Sequence, residues 1–120
     1  MSSSSIIKVG SNLIVTVPEE ISDNDAMSLQ EEINERIERM RIDGVLLDIT
    51  SLETVDSFLG RLLHEISAGA GLLGARTVVA GMQPAVAMTL VELGFQLRGV
   101  LTALDPDRGL AMLARNGHGP

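Results

Sequence analysis

Short runs of aliphatic and β-branched residues alternate along this chain with longer stretches in which apolar positions recur every three or four residues. That alternation between a period of two and a period near 3.6 predicts strands and helices in turn. Ile6 to Val9 and Leu13 to Val17 read as two strands separated by Gly10-Ser11-Asn12, a hairpin signature. Pro18 closes the second strand, and Ser22-Asp23-Asn24-Asp25 supplies N-cap candidates for a helix. Its stripe is Leu29, Ile33, Ile37 and Met40, with Glu31, Glu32, Glu35, Arg36, Glu38 and Arg39 on the wet side. Val45 to Ile49, interrupted only by Asp48, has the pattern of a central strand covered on at least one face. A short loop from Thr50 to Asp56 leads to a helix from about Ser57 to Leu73, with Phe58, Leu62, Ile66 and Leu73 inward and a stop near Gly74. Arg76 to Ala80 is the next strand. Pro84 opens a helix through Val86, Leu90 and Leu93 that stops at Gly94 in the left-handed conformation. Val100 to Leu104 makes the last strand, and Asp105-Pro106 caps a helix holding Leu110, Met112 and Leu113.

The predicted order is ββαβαβαβα, an α/β fold in one domain. Strands that alternate with helices need crossover connections, so the expected product is a mixed β-sheet with the hairpin at one side, covered by helices. Periodicity alone does not say whether the helices cover one face or both. The domain is expected to span residues 6–115, between a disordered tail at 1–5 and a flexible tail at 116–120. A chain of 120 residues has room for one such domain, and burial of about two thirds of the unfolded surface gives it a real core.

Composition narrows the chemistry. Hydrophobic types make up 45% of the chain and aromatics 2%, with two Phe and neither Trp nor Tyr, so the core is aliphatic and stacking functions are disfavoured. There is no Cys, which excludes a disulfide framework, a thiolate metal site and a Cys nucleophile together. No apolar run approaches the roughly 20 residues that cross a bilayer, and Met1 to Ser5 lack the order of a signal peptide. A cytoplasmic location is the expectation. A formal charge of −7 repels phosphate backbones and anionic membranes, so neither nucleic acid nor a membrane is expected as a partner.

Two tempting motifs fail on context. Gly69-Ala70-Gly71-Leu72-Leu73-Gly74 matches a dinucleotide fingerprint letter for letter. Such a fingerprint follows a strand and opens a helix, whereas these glycines close a helix and precede a strand. A hydrolytic triad drawn from Ser57, His64 and Asp48 or Asp56 places the imidazole two helical turns from the hydroxyl, about 10 Å away. His118 lies in the Gly-rich tail and has no partner at ligand spacing. No catalytic group, cofactor or metal is expected, and the chain reads as a non-enzymatic protein.

The informative segment runs from Asp48 to Arg61. Either Asp56 or Ser57 can cap the helix that follows. A hydroxyl at that place also suits phosphorylation, because free N–H groups and the positive end of the helix dipole favour the added charge. Arg61, one turn along, is placed to pair with a phosphate, while Asp56 opposes it. The balance is a site that tolerates phosphate and changes chiefly its outward surface.

The ββαβαβαβα order and Val55-Asp56-Ser57-Phe58-Leu59-Gly60-Arg61 resemble STAS domains, the anti-sigma factor antagonists. The likeness extends through Leu72-Leu73-Gly74-Ala75, Val78-Val79-Ala80-Gly81-Met82 and Pro84-Ala85-Val86-Ala87-Met88-Thr89-Leu90-Val91-Glu92-Leu93-Gly94. In ordinary antagonists the acceptor is followed by a small residue and Gly-Leu, and the departure here, Phe58-Leu59-Gly60, points to the short, sensor-free subunits of stressosomes. The resemblance implies a phosphoprotein that sequesters a serine kinase of the switch-protein type and releases it when Ser57 is modified, with a serine phosphatase resetting the switch. It also implies a homodimer and a large hetero-oligomer with a sensor-bearing STAS paralogue. Asp56, Phe58 and Arg61 are then the kinase contacts or phosphate neighbours, and Thr89 and Thr50 are secondary acceptor candidates, although a plain helix-face or strand-end role suits both. The alternative is a free dimeric antagonist that binds an anti-sigma factor directly.

Overall fold

The computed structural model describes residues 5–95, 97 and 99–116. His118 and the tail expectations for residues 1–4 and 117–120 lie outside the described residues. The elements are β1 (Ser5–Val9), β2 (Asn12–Thr16), α1 (Asp23–Met40), β3 (Gly44–Asp48), α2 (Ser57–Leu72), β4 (Arg76–Ala80), α3 (Pro84–Glu92), β5 (Leu101–Ala103) and α4 (Pro106–Asn116). The order is the expected ββαβαβαβα. Ser5 already pairs with Thr16, so the first strand takes in a residue expected in the tail.

The five strands lie in the order β1-β2-β3-β4-β5. β1 is antiparallel to β2, with Gly10 at φ +61 in the turn, and every later pair is parallel. Three parallel crossovers therefore step in one direction across the sheet. Crossovers share one hand, so all three helices must fall on the same face. They do: Leu29, Ile33 and Ile37 of α1, Leu62, Leu63 and Ile66 of α2, and Val86 and Leu90 of α3 pack with Leu13, Val15, Val45, Leu47 and Val79 of the sheet. No strand follows α4, so that constraint does not bind it. Leu113 joins Leu46, Val78 and Ala80 in a smaller cluster on the opposite face. β3 is thus buried on both sides, and that explains its uninterrupted apolar run.

Four expected core positions lie at the surface, all near helix ends. Met40, Leu73 and Leu93 are exposed, and Phe58 is 36% exposed. After Met40 the chain turns through Arg41 in the left-handed region, φ 53, and Ile42 takes the buried place. Past α2 the role passes from Leu73 to Ala75, and past α3 from Leu93 to Phe95. In α2 the stripe is Leu59, Leu62, Leu63, Ile66 and Ala70, one residue later at its start than the sequence pattern indicates.

Candidate functional site

The C-terminal ends of β3 and β4 deliver two loops to one end of the sheet. In the β3–α2 loop, Ile49, Leu52 and Val55 are buried, while Thr50, Ser51, Glu53, Thr54, Asp56 and Ser57 face outward. Three apolar anchors in seven residues hold the loop against the core, and the Leu52 amide closes a turn on the Ile49 carbonyl at 3.0 Å. The ladder continues past the strands, with the Val17 amide donating to the Asp48 carbonyl (3.1 Å) and the Ile49 amide to the Ala80 carbonyl (3.0 Å). The Asp48 carboxylate accepts the Thr50 amide at 3.0 Å and the Thr50 hydroxyl at 2.6 Å, closing an Asx turn. Gly81, at φ +80, lies against Thr50 so closely that a Cβ there would meet its backbone at 3.0 Å. Gln83 donates from Nε2 to the Thr50 carbonyl at 3.3 Å. The two loops are pinned together.

That frame settles which residue caps α2. Asp56 is the N-cap, its Oδ1 accepting the Leu59 amide at 2.9 Å, and its carbonyl takes the Gly60 amide at 2.9 Å. Ser57 is the first helical residue, exposed, with its hydroxyl not used in capping. Of the amides that a helix start leaves without intrahelical partners, that of Leu59 is thus satisfied by the Asp56 side chain, while Gly60 makes the first intrahelical bond to the Asp56 carbonyl. An anionic substituent on the Ser57 hydroxyl meets the positive helix end, worth about 0.3–1 kcal/mol.

The surroundings are acidic. A groove of about 400 Å³ beside the serine is lined by Glu19, Glu20, Ile21, Ser22, Asp56, Phe58 and Leu59. Phe58 forms its half-open apolar wall, whereas Leu59 is buried and belongs to the core. Arg61 is exposed one turn along and forms no ion pair among the described residues. The structure therefore gathers Asp56, Ser57 and Phe58 at one rim, with Arg61 on the next turn.

Thr50 lies at the same end of the sheet with its hydroxyl committed to Asp48. Thr89 lies on α3 and donates back to the Ala85 carbonyl at 3.0 Å. The glycine-rich segment ends α2, where the Leu73, Gly74 and Ala75 amides all bond within the turn, leaving no cradle for phosphate. His64 is exposed on α2 and tilted against Phe95 with ring centroids 6.3 Å apart. Among the described residues no group of His, Asp and Glu is disposed to hold a metal, and no helix is long and apolar enough to cross a membrane.

Three features of the site escaped the sequence reading. Gly60 is buried, and a Cβ there would meet the Phe95 ring at 2.8 Å, so α2 and the segment after α3 approach closely only because of it. A glycine inside a helical stripe is the available signal for such contact. Gly81 and the Glu19-Glu20 wall are brought in by tertiary structure alone.

The chain matches the STAS domain family over residues 4–103. It is similar to a serine-to-glutamate variant of RsbS from Moorella thermoacetica, with 40% identity and a TM-score of 0.86, covering 98% of this chain and 100% of that one. A chain solved in the molecular architecture of the stressosome, described there as a signal integration and transduction hub, is also 40% identical, with a TM-score of 0.85 over 96% of this chain and 100% of that one. The RsbT co-antagonist protein RsbRA of Bacillus subtilis (strain 168) is 31% identical over 85 residues, which are 71% of this chain and 31% of RsbRA. This chain thus spans about a third of the length of that relative.

Proposed function

The chain belongs to the STAS domain family, and on that premise we propose that it is a non-enzymatic scaffold subunit of a stressosome-type complex, which holds a serine kinase of the switch-protein type and releases it when Ser57 is phosphorylated. The observation that carries this reading is the division of labour at the start of α2. Asp56 takes the capping role, so the Ser57 hydroxyl stays free, exposed and fixed in place by a loop with three buried anchors. A serine that itself capped the helix would carry the phosphate on its capping oxygen, and the cap would have to rearrange around it. Here nothing in the fold has to give way.

The likeness to RsbS of M. thermoacetica and to a stressosome chain, each over its full length, supports placing the chain in such an assembly. The partners proposed are the kinase, a serine phosphatase that resets the switch, a sensor-bearing STAS paralogue and a second copy of the chain, in the cytoplasm and without nucleic acid, membrane or cofactor. Phe58 and the acidic groove form the surface that the kinase covers, and Arg61 supports docking or the phosphorylated state. Thr50 and Thr89 are proposed as minor acceptors at most, since each hydroxyl already donates within the fold.

The test is mass spectrometry after incubation with kinase and ATP, followed by kinase binding to the unmodified, phosphorylated, Ser57→Ala and Ser57→Asp forms. Modification should fall on Ser57 and weaken binding about 5- to 150-fold, the range of a coupling of about 1–3 kcal/mol. Ser57→Ala should keep the kinase bound, and Ser57→Asp should release it in part. Dominant modification at Thr50, Thr54 or Thr89, or equal affinity for both forms, refutes the mechanism.

A further inference from the structure

Between α2 and the connection from α3 to β5 lies a hollow of about 610 Å³, within the roughly 300–1,000 Å³ range of small-molecule sites. One wall is a ridge of α2, where Arg61, His64, Glu65 and Ala68 follow one another at helical spacing. The other is the connection itself, through Gly94, Phe95, Leu97 and Val100. Phe95, Leu97 and Val100 are half-buried and packed against the main core, so their open sides line the hollow with apolar surface. Backbone bonds fix this wall without a ligand. The Phe95 amide donates to the Leu90 carbonyl (3.1 Å) and the Val100 amide to the Leu97 carbonyl (3.1 Å). The Phe95 ring lies over Gly60, where a Cβ would meet it at 2.8 Å.

The polar groups around the hollow differ in what they have left to offer. Glu65 accepts from Nε2 of Gln30 at 3.3 Å, which draws its carboxylate toward α1. Ser67 donates its hydroxyl proton back to the Leu63 carbonyl at 2.9 Å. Arg61 and His64 are exposed and have neither an ion pair nor a hydrogen bond from their side chains among the described residues, and the His64 ring is tilted against Phe95 with centroids 6.3 Å apart. The donors at the rim are therefore a guanidinium and an imidazole, set beside an apolar floor. The acidity of the chain does not oppose an anion here. Residues 1–56 hold twelve acidic side chains against four basic ones, whereas residues 57–104, which build both walls, hold Arg61, Arg76 and Arg98 against Glu65 and Glu92. Carboxylates elsewhere on the molecule are screened beyond a Debye length of about 8 Å.

We infer that this hollow binds a small organic acid, with its apolar body against Phe95, Leu97 and Val100 and its carboxylate on Arg61 with His64 beside it. A guanidinium takes a carboxylate in a two-pronged pair, and one guanidinium matches one carboxylate better than a polyphosphate. The tilted Phe95 and His64 rings favour a flat, aromatic body over a flexible chain. Such a ligand binds whether or not Ser57 is modified, so the site stands apart from the proposed switch.

The test is an NMR titration of the isotope-labelled full chain with naphthoate and, in parallel, with naphthamide, which has the same body and no charge. Naphthoate should saturate with a dissociation constant of roughly 1 mM or tighter, and the amides that shift should be those of α2 from Arg61 to Ala68 and of Gly94, Phe95, Leu97 and Val100. Naphthamide should bind about five-fold more weakly, the worth of one exposed ion pair. Arg61→Gln should bring naphthoate down to the naphthamide level and leave naphthamide unchanged, a split that damage to the fold does not produce. Ala68 is exposed, so Ala68→Phe should melt like wild type while its ring fills the hollow and abolishes binding of both compounds. No saturation by about 10 mM naphthoate, equal affinity for acid and amide, shifts centred elsewhere on the chain, or full naphthoate affinity in Arg61→Gln or Ala68→Phe overturns the site.

Discussion

Replacing Asp56 separates its two jobs, because the carboxylate both caps α2 and sets a negative charge beside Ser57. Asp56→Ala removes the acceptor of the Leu59 amide, a 2.9 Å bond at the rim of the domain. Loss of such a cap costs about 1 kcal/mol. At about 2.1 cal/mol/K of unfolding entropy per residue, that lowers the Tm of this 120-residue chain by about 4 °C. Asp56→Asn keeps an equivalent cap and should stay within about 0.5 kcal/mol of wild type. What Asn removes is the repulsion of a phosphate on Ser57. For a phosphate of about two charges some 6 Å from the carboxylate, that repulsion is about 1.4 kcal/mol in water and about 0.6 kcal/mol at physiological salt. Thermal melts of the three proteins, with and without phosphate on Ser57, give both quantities. Asp56→Asn should melt with wild type when unmodified and gain about 0.6 kcal/mol when phosphorylated. An Asn variant that melts with Asp56→Ala refutes the capping assignment, and a gain above about 1.4 kcal/mol refutes the solvent-exposed setting.

Thr77 is 4% exposed on β4 and its hydroxyl has no hydrogen-bond partner among the described residues. Thr77→Val should therefore stabilise the protein by about 1 kcal/mol in urea unfolding, and a loss of stability would show that the hydroxyl is satisfied. Arg61→Ala should change stability by about 0.5 kcal/mol or less while reducing the Ser57 phosphorylation rate or kinase affinity. A large loss of stability with unchanged kinase kinetics would make Arg61 a packing residue.

The order of elements was legible because each strand and helix carries its own period, and the grammar of Pro84, Gly94 and Asp105 punctuates them. The helix ends were not. Met40, Leu73 and Leu93 continue their stripes in sequence, but the backbone leaves the helix within one residue of each, and Ile42, Ala75 and Phe95 occupy the core instead. Face coverage is likewise a property of topology: only the consecutive strand order shows that α1, α2 and α3 must share a side and that α4 is free to take the other. At the site, both Asp56 and Ser57 can cap a helix, and burial of Val55 sets the phase that gives Asp56 the role. The resemblance picked out Ser57 without explaining why its hydroxyl is available. The groove wall of Glu19 and Glu20 comes from a segment remote in sequence and was invisible to any local pattern.

Local energies at Ser57 nearly cancel, and this constrains how the proposed switch acts. A phosphate gains about 0.3–1 kcal/mol from the helix start and loses about 0.6 kcal/mol to Asp56 at physiological salt. The folded domain is left close to indifferent. Leu59, Leu62 and Leu63 continue to hold α2 to the sheet, for they face away from the hydroxyl. A coupling of about 1–3 kcal/mol to a partner therefore cannot come from a change in the fold of this chain. It has to arise in the interface, where a partner seated over Phe58 strips water from the new charge within a groove that Glu19, Glu20 and Asp56 already make negative. On this account the affinity lost on phosphorylation is larger for a partner that desolvates Ser57 fully than for one that contacts Phe58 alone.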